Sequence, residues 1–414
     1  MSEIGPIATA ARIKSLDVMR GFAVLGILVV NAMYFAAPWQ TAQNPLLPPL
    51  GIDHSTMWSW FVMHTFFDFK CITLFSLLFG VSLYLVGGDG SDRERGALLR
   101  RRLFWLMLFG LLHGTLIWSG DILLHYAIAG FIVMFFRSWN AGLLLFVGGV
   151  LYLVMIGLQY FPALIAPYLP PEALAELQAG LDEAKAYVFA PPADELAAVT
   201  EAYRGDWASV FKANLDAWVT FFPYGVLGLL PRTIGVMLIG MGLFKIGFLS
   251  DRAPTGVYVF FAFVGACAIA AIGYQGWINW RLGFPFAHMQ SAGTAVNTTV
   301  SILGSIGYAA LFTLLARGGV RVITEPLAAV GRMAFTNYIA QSLVMTVIFW
   351  GGRGFGLFGE VDRPTLMAIV LAVWALQLIW SPLWLTRFEM GPLEWLWRRL
   401  SYGKPVRMAK VAPA

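Results

Sequence analysis

Long apolar runs follow one another along almost the whole chain, separated by short polar or charged stretches. A helix that crosses a bilayer needs about 20 mostly apolar residues, and runs of that length recur here. The apolar positions are continuous rather than alternating with polar ones, which excludes a transmembrane β-barrel. We therefore predict an all-α fold, a polytopic transmembrane bundle of about ten helices. The predicted spans lie at about 18–37, 60–86, 103–119, 121–136, 141–161, 232–249, 255–276, 292–316, 326–350 and 364–385.

One segment between the fifth and sixth predicted spans is more polar than the rest. Residues 166–212 carry many of the acidic side chains, and Pro223 and Pro231 interrupt the apolar stretch that follows. We interpret that stretch as an interfacial or half-buried helix. The chain is predicted to be a single transmembrane domain over 1–403, in which 166–230 is an extracytoplasmic or interfacial helical insertion, with a tail at 404–414.

Composition supports a membrane protein. Charged residues make up 12% of the chain, about half the share of a soluble globular domain. The net charge of +5 does not indicate a nucleic-acid partner, because the basic residues are scattered or flank apolar runs. The expected partner is the lipid bilayer. Cys71 and Cys267 both lie in apolar segments and imply no disulfide framework.

The distribution of Lys and Arg predicts the orientation. Arginines cluster at 93–102, after the second predicted span, and further basic residues occupy both ends of the chain. The connection at 38–59 has none. Because cytoplasmic loops are enriched in Lys and Arg, we predict that both termini are cytoplasmic and that 166–212 is outside.

Polar side chains within the apolar runs are the candidate functional residues. In the outer half, His113 lies about two turns below the predicted outer surface. Asp121 follows it at i+8, near the same helix face. Asn31, Asp68 and Lys70 fall at a similar predicted depth. Ionisable groups inside a membrane usually face a polar cavity, so we predict that these residues line one.

A second polar set falls in the predicted inner half. Asp17 and Arg20 are three residues apart and can pair along one helix face. Arg332 and Asn337 lie in the ninth predicted span. Two interpretations stay open for these residues, because such groups either anchor and join helices or line a binding site. In the second case, Arg20, Arg332 and the 93–102 arginines form a cytoplasmic entrance for an anionic ligand.

Six blocks occur in order along the chain: "SLDVMRGFAVLGILVVN", "FKCITLFSLLFG", "GLLHGTLIWSGDILLHYAIAG", "GVMLIGMGLFKIGFL", "GRMAFTNYIAQSL" and "LTRFEMGPLEWLWRRLSYG". Together they resemble the YeiB-like family, bacterial inner-membrane proteins with a domain of unknown function. The resemblance covers about residues 13–403. It implies a multi-pass protein of the bacterial inner (cytoplasmic) membrane.

The first block also resembles the opening helix of the wider transmembrane acyltransferase group. Such enzymes take an acyl group from acyl-CoA at the cytoplasmic face and deliver it to an acceptor on the far side, using a histidine. The resemblance therefore implies acyl-CoA as donor and an envelope molecule as acceptor. The third block points to His113 and Asp121 as the catalytic pair, whereas His54 stands where the acetyltransferase of that group carries its histidine.

Acyl transfer would assign a role to each candidate. His113 would act as general base and Asp121 would hold its tautomer. Asn31, Lys70 or Asn337 would donate hydrogen bonds to the oxyanion. Two other hypotheses stay open: a transporter or exporter of a small molecule or lipid, and a non-catalytic membrane scaffold. No metal site is expected, because the histidines of the predicted outer half are scattered.

The predicted orientation can be tested by cysteine labelling. In intact cells, a membrane-impermeant maleimide should label E183C and should not label K404C, because the first lies in the predicted outer segment and the second in the predicted cytoplasmic tail. Both variants are made in a chain lacking Cys71 and Cys267. Efficient labelling of K404C from outside would overturn the topology.

Overall fold

The computed structural model describes residues 13–410, and its elements there are helices. The all-α fold predicted from the sequence is confirmed. Short π or 3₁₀ turns extend several helices at 113–117, 134–136, 166–168, 185–189 and 225–229. The α-helices are α1 (Lys14–Ala36), α2 (Gln40–Gln43), α3 (Met57–Phe66), α4 (Lys70–Gly87), α5 (Arg93–Leu112), α6 (Leu123–Val133), α7 (Ala141–Ile165), α8 (Pro171–Ala184), α9 (Ala193–Arg204), α10 (Trp207–Tyr224), α11 (Leu230–Lys245), α12 (Thr255–Leu282), α13 (Phe286–Met289), α14 (Ala292–Arg317), α15 (Arg321–Arg332), α16 (Ala334–Phe349), α17 (Arg363–Arg387) and α18 (Pro392–Tyr402).

Within the described residues, six helical stretches are long and apolar enough to cross a membrane. They are Lys14–Ala36, Met57–Gly87, Ala141–Tyr168, Thr255–Leu282, Phe286–Arg317 and Arg363–Arg387. The other four predicted spans correspond to α5, α6, α11 and α16, which are shorter or carry more charge. That these four also cross, which would give ten spans, stays a prediction.

The second predicted span is divided rather than continuous. α3 ends at Phe66 and α4 begins at Lys70, and Phe69 between them adopts a left-handed backbone with φ 60°. The division leaves carbonyl groups at the end of α3 without helical partners. The Lys70 ammonium donates to the carbonyl of His64 at 2.7 Å, and the Tyr308 hydroxyl donates to the carbonyl of Phe66 at 2.8 Å. Side chains therefore supply the hydrogen bonds that the helix gives up.

The ninth predicted span, expected as one helix over 326–350, is also divided. α15 ends at Arg332, and α16 begins at Ala334. The Glu394 carboxylate accepts from the backbone N–H of Phe335 at 2.7 Å and from that of Thr336 at 3.1 Å. This carboxylate caps the start of α16, which explains why a new helix begins there.

The outer insertion predicted at 166–230 forms α8, α9 and α10 and packs on the end of the bundle that holds the carboxyl terminus of α1. The Asn44 amide donates to the carbonyl of Phe189 at 2.9 Å, and the Arg204 guanidinium donates to the carbonyl of Phe358 at 2.6 Å. At the opposite end of the bundle, α15 packs against the first turns of α1. Each end of the bundle is therefore closed by a different set of helices.

Two glycines let α4 and α11 approach closely. A methyl group at Gly80 would overlap the carbonyl of Met237, and one at Gly240 would overlap the carbonyl of Leu77.

We expect G80A to lower the free energy of unfolding by about 1–3 kcal/mol through overpacking. The measurement is thermal unfolding in detergent. G149A is the matched control, because nothing lies within 4 Å of that position. Equal melting temperatures for G80A and G149A would contradict this packing.

Candidate functional site

A cavity of about 1230 Å³ lies among α1, α4, α6, α10 and α11, and the insertion predicted at 166–230 supplies part of its wall. Its wall is mainly apolar, with residues such as Ile27, Phe67 and Val236. Polar side chains also line it, among them Asn31, Asp68, Asp121, His125, Lys212, Asp216, Arg232 and Thr233. Ligand sites commonly combine a large apolar surface with a small number of placed polar groups. This cavity is therefore the candidate functional site.

His113 and Asp121 form a buried hydrogen-bonded pair at the cavity wall. His113 begins the π turn that follows α5, and its Nδ1 lies 2.8 Å from the Asp121 carboxylate. Asp121 also accepts from the backbone N–H groups of Leu123 and Leu124, at 3.1 and 2.8 Å, and so caps α6. Asp121 lines the cavity, and His113 lies behind it with only 1% of its surface exposed.

Ser342 is the third member of this group, and the sequence analysis did not single it out. Its hydroxyl lies 3.0 Å from His113 Nε2, on the side of the ring opposite Asp121. If Nδ1–H donates to the carboxylate, Nε2 is unprotonated and accepts from the Ser342 hydroxyl. Ser342 belongs to "GRMAFTNYIAQSL", one of the blocks that carried the family resemblance. Its place in that block could have marked it as a candidate site residue.

A second network surrounds the break between α3 and α4. Lys70 is completely buried, and besides the carbonyl of His64 it donates to Asn297 Oδ1 at 2.9 Å. The Asn297 amide in turn donates to the Asp68 carboxylate at 2.9 Å. Asp68 lines the cavity, while Lys70 lies behind it. Asn297, on α14, was also missed, because a lone Asn followed by two threonines carries no charge to mark it.

His125 and Arg232 occupy the cavity wall on α6 and α11. His125 Nε2 lies 2.9 Å from the Thr233 hydroxyl. The Arg232 guanidinium carbon lies over the Phe69 ring, 4.9 Å from its centroid. It also lies over the Tyr152 ring, 5.2 Å from that centroid. The sequence places Arg232 at the first position of the predicted span 232–249, where a basic residue resembles an ordinary interfacial anchor.

The remaining predicted binding residues do not line this cavity. Arg20 pairs with Asp17 at 2.8 Å, and Arg332 donates to the carbonyl of Glu389 at 2.7 Å. Asn337 donates to Ser381 at 3.1 Å within the bundle. Of the predicted set, the structure thus brings Asn31, Asp68 and Asp121 to the cavity wall, and the functional role of each residue stays a prediction.

His54 and Asn337 both lie outside the cavity, His54 at the surface and Asn337 inside the bundle. His54 is exposed, and its ring packs edge-on against Trp280 with centroids 5.4 Å apart. Asn337 lies in a polar cluster in which Gln341 donates to Gln377 at 2.8 Å and Gln377 donates to the carbonyl of Asn337 at 2.9 Å. Such bonds join neighbouring helices inside a bundle.

The fold and the cavity define a helical, membrane-type protein with a buried polar site. The family described as "Protein of unknown function (DUF418)" matches residues 243–404. YeiB of Escherichia coli is 31% identical over 94% of this chain and 95% of its own length, and YxaH of Bacillus subtilis is 30% identical over 97% of each chain. Both carry the description "uncharacterized". The chain belongs to this YeiB-like family, as the sequence blocks predicted. No solved structure matches it significantly.

The buried Lys70 network should dominate the stability of the break. K70M removes the donor to the His64 carbonyl and to Asn297, and leaves the Asp68 carboxylate without its nearby cation. We expect a loss of about 3–5 kcal/mol in the free energy of unfolding, measured in detergent. The double variant D68N/K70M should recover part of this loss.

The control for this experiment is K212M. Lys212 is exposed and pairs with Asp216 one helical turn away, so its removal should leave the melting temperature unchanged. A K70M protein as stable as K212M would show that the network does not hold the break together.

Proposed function

We propose that this protein is a membrane-embedded acyltransferase whose acceptor binds in the outer cavity and is deprotonated by the His113–Asp121 pair. The observation that supports the proposal is the 2.8 Å contact between His113 Nδ1 and the carboxylate of Asp121, a residue of the cavity wall. A carboxylate at Nδ1 fixes the imidazole tautomer in which Nε2 is free to accept a proton. It also stabilises the imidazolium that forms.

Ser342 orients His113 in this proposal. Its hydroxyl lies 3.0 Å from Nε2 on the side of the ring opposite Asp121, and neither side chain lines the cavity, so the turn at 113–117 must move before Nε2 can take the proton of the acceptor. The acceptor oxygen or nitrogen attacks the thioester carbonyl, the new acyl bond forms and the carbon–sulfur bond breaks. The proton held by His113 then goes to the leaving thiolate. Atoms and charges balance with acyl-CoA and the acceptor as the only co-substrates.

Asn31 and Asp68 would hold the acceptor rather than perform the chemistry. Both line the cavity, and Asn31 can donate or accept a hydrogen bond through its amide. Lys70 stands behind the wall, engaged with His64 and Asn297, so we assign it to the support of Asp68. Arg20 and Arg332 lie outside the outer cavity, and their proposed role is to receive the CoA phosphates at the cytoplasmic face.

The test is transfer of a radiolabelled acetyl group from acetyl-CoA, supplied to the cytoplasmic side of inverted vesicles, to lipid or envelope material. H113Q should lower the initial rate by about 10²–10⁴-fold, the range for loss of a general base. Folding should persist, because Asp121 keeps the backbone N–H donors of Leu123 and Leu124. H125Q is the matched control, since it removes a neighbouring cavity histidine outside the pair.

The same vesicles separate the second candidate function, transport of a small molecule or lipid. One observation favours transport: the break between α3 and α4 places Asp68 at the cavity, and discontinuous helices form the substrate sites of many transporters. If H113Q vesicles retain wild-type acetyl transfer, or if the wild-type protein transfers nothing, acyl transfer is wrong. If the wild-type vesicles take up a small molecule or lipid and the D68N vesicles do not, the result would support transport.

A further inference from the structure

The Arg232 guanidinium is the most distinctive charge in the outer cavity. It lies near the start of α11, partly buried, with its guanidinium carbon over the rings of Phe69 and Tyr152. Its hydrogen bonds within the described residues all come from Nη2: to the Tyr152 hydroxyl, the Thr298 carbonyl and the Ser301 hydroxyl, each at 3.4 Å. At that length these bonds are weak. Nε and Nη1 have no protein acceptor in the described part of the chain.

The other charged groups of the cavity wall already have partners. Asp68 accepts from Asn297, which also binds Lys70. Asp121 accepts from His113 and two backbone N–H groups. Lys212 pairs with Asp216 at 2.8 Å. Among the described residues, no carboxylate lies within ion-pair distance of Arg232. Among the described residues of the cavity wall, Arg232 is therefore the cation that lacks a carboxylate partner.

The side chains around Arg232 indicate which chemical class of ligand the cavity binds. The guanidinium carbon lies over two aromatic rings, which restrict the position of the group before any ligand arrives. Planar guanidinium donors suit phosphate and carboxylate groups. The wall beyond Arg232 is apolar, with Val236, Leu229 and Ile72 among its residues. A cavity of about 1230 Å³ is larger than a phosphate ion alone would need.

We propose that the outer cavity binds an amphipathic molecule, with an anionic phosphate-type headgroup at Arg232 and an apolar chain along the wall formed by α4 and α11. This inference rests on the proposed function, because the molecule would be the acyl acceptor. It goes beyond that function by naming the acceptor's class: a lipid-like anion rather than a soluble sugar or amine. Asp121 would then face the part of the ligand that reacts, and Arg232 the part that anchors it.

Binding can be measured on the purified full-length chain in a neutral maltoside detergent, by native mass spectrometry. The probes are hexadecyl phosphate, hexadecanol and inorganic phosphate. We expect one hexadecyl phosphate per chain, bound at least about tenfold more tightly than hexadecanol, a difference of about 1.4 kcal/mol. Inorganic phosphate should compete only weakly, because it lacks the chain that the apolar wall binds. These comparisons use the wild-type protein and require no variant.

The variants then assign the anion to Arg232. R232Q should weaken hexadecyl phosphate binding about tenfold and leave hexadecanol binding unchanged. R232K keeps the charge without the planar fork and should retain part of the affinity. K212Q is the matched control, because it removes another cation of the cavity wall that already has a partner. It should bind hexadecyl phosphate as the wild type does.

Three outcomes would overturn the inference. Equal affinity of the wild type for hexadecyl phosphate and hexadecanol would show that no anion site exists. An equal loss in K212Q and R232Q would point to general electrostatics. Inorganic phosphate that binds as tightly as hexadecyl phosphate would indicate a site for free anions. A result in which H113Q keeps both wild-type binding and wild-type acetyl transfer would instead remove the proposed function and leave the binding site standing.

Discussion

The contact between the Lys70 ammonium and the His64 carbonyl is the interaction on which the site depends. A membrane offers no water to satisfy a backbone group, so a helix can be interrupted there only if the protein supplies other partners. Lys70 gives one, Tyr308 a second, and Asn297 joins Lys70 to Asp68. The interruption turns Asp68 toward the cavity.

The two divided spans share a physical logic. At the α3–α4 break a cation compensates freed carbonyl groups, and at the α15–α16 break the Glu394 carboxylate compensates freed N–H groups. Each charge has the sign that the helix end requires. The first break lies at the cavity, while the second joins the amino end of α16 to α18. Since α16 carries Ser342, this second junction also sets the position of the hydroxyl beside His113.

Hydropathy was sufficient to predict the helical class and the approximate position of six long apolar helices, because apolar length is a property of contiguous residues. The pairing of His113 with Asp121 was also accessible, since both residues lie in one short block, where the non-helical residues 118–122 fold Asp121 back onto His113. The breaks were not accessible. Lys70 looks like any polar residue in an apolar run, and the partners that make its burial tolerable, Asn297 and the His64 carbonyl, lie on other turns or other helices. Ser342 and Arg232 could not be predicted for the same reason. Ser342 contacts His113 and Arg232 contacts the Phe69 ring, and each of these neighbours lies more than one hundred residues away in the sequence.

The insertion at 166–230 is tied to the candidate site through one side chain. α10 forms part of the cavity wall, and its buried Asn214 is clasped to the π turn: its amide donates to the carbonyl of Gly114 at 3.0 Å, and its oxygen accepts from the N–H of Ser119 at 2.7 Å. One wall of the cavity is thus fastened to the turn that carries His113. Any displacement of α10 would therefore also shift that turn, so the width of the cavity and the position of the imidazole are mechanically coupled.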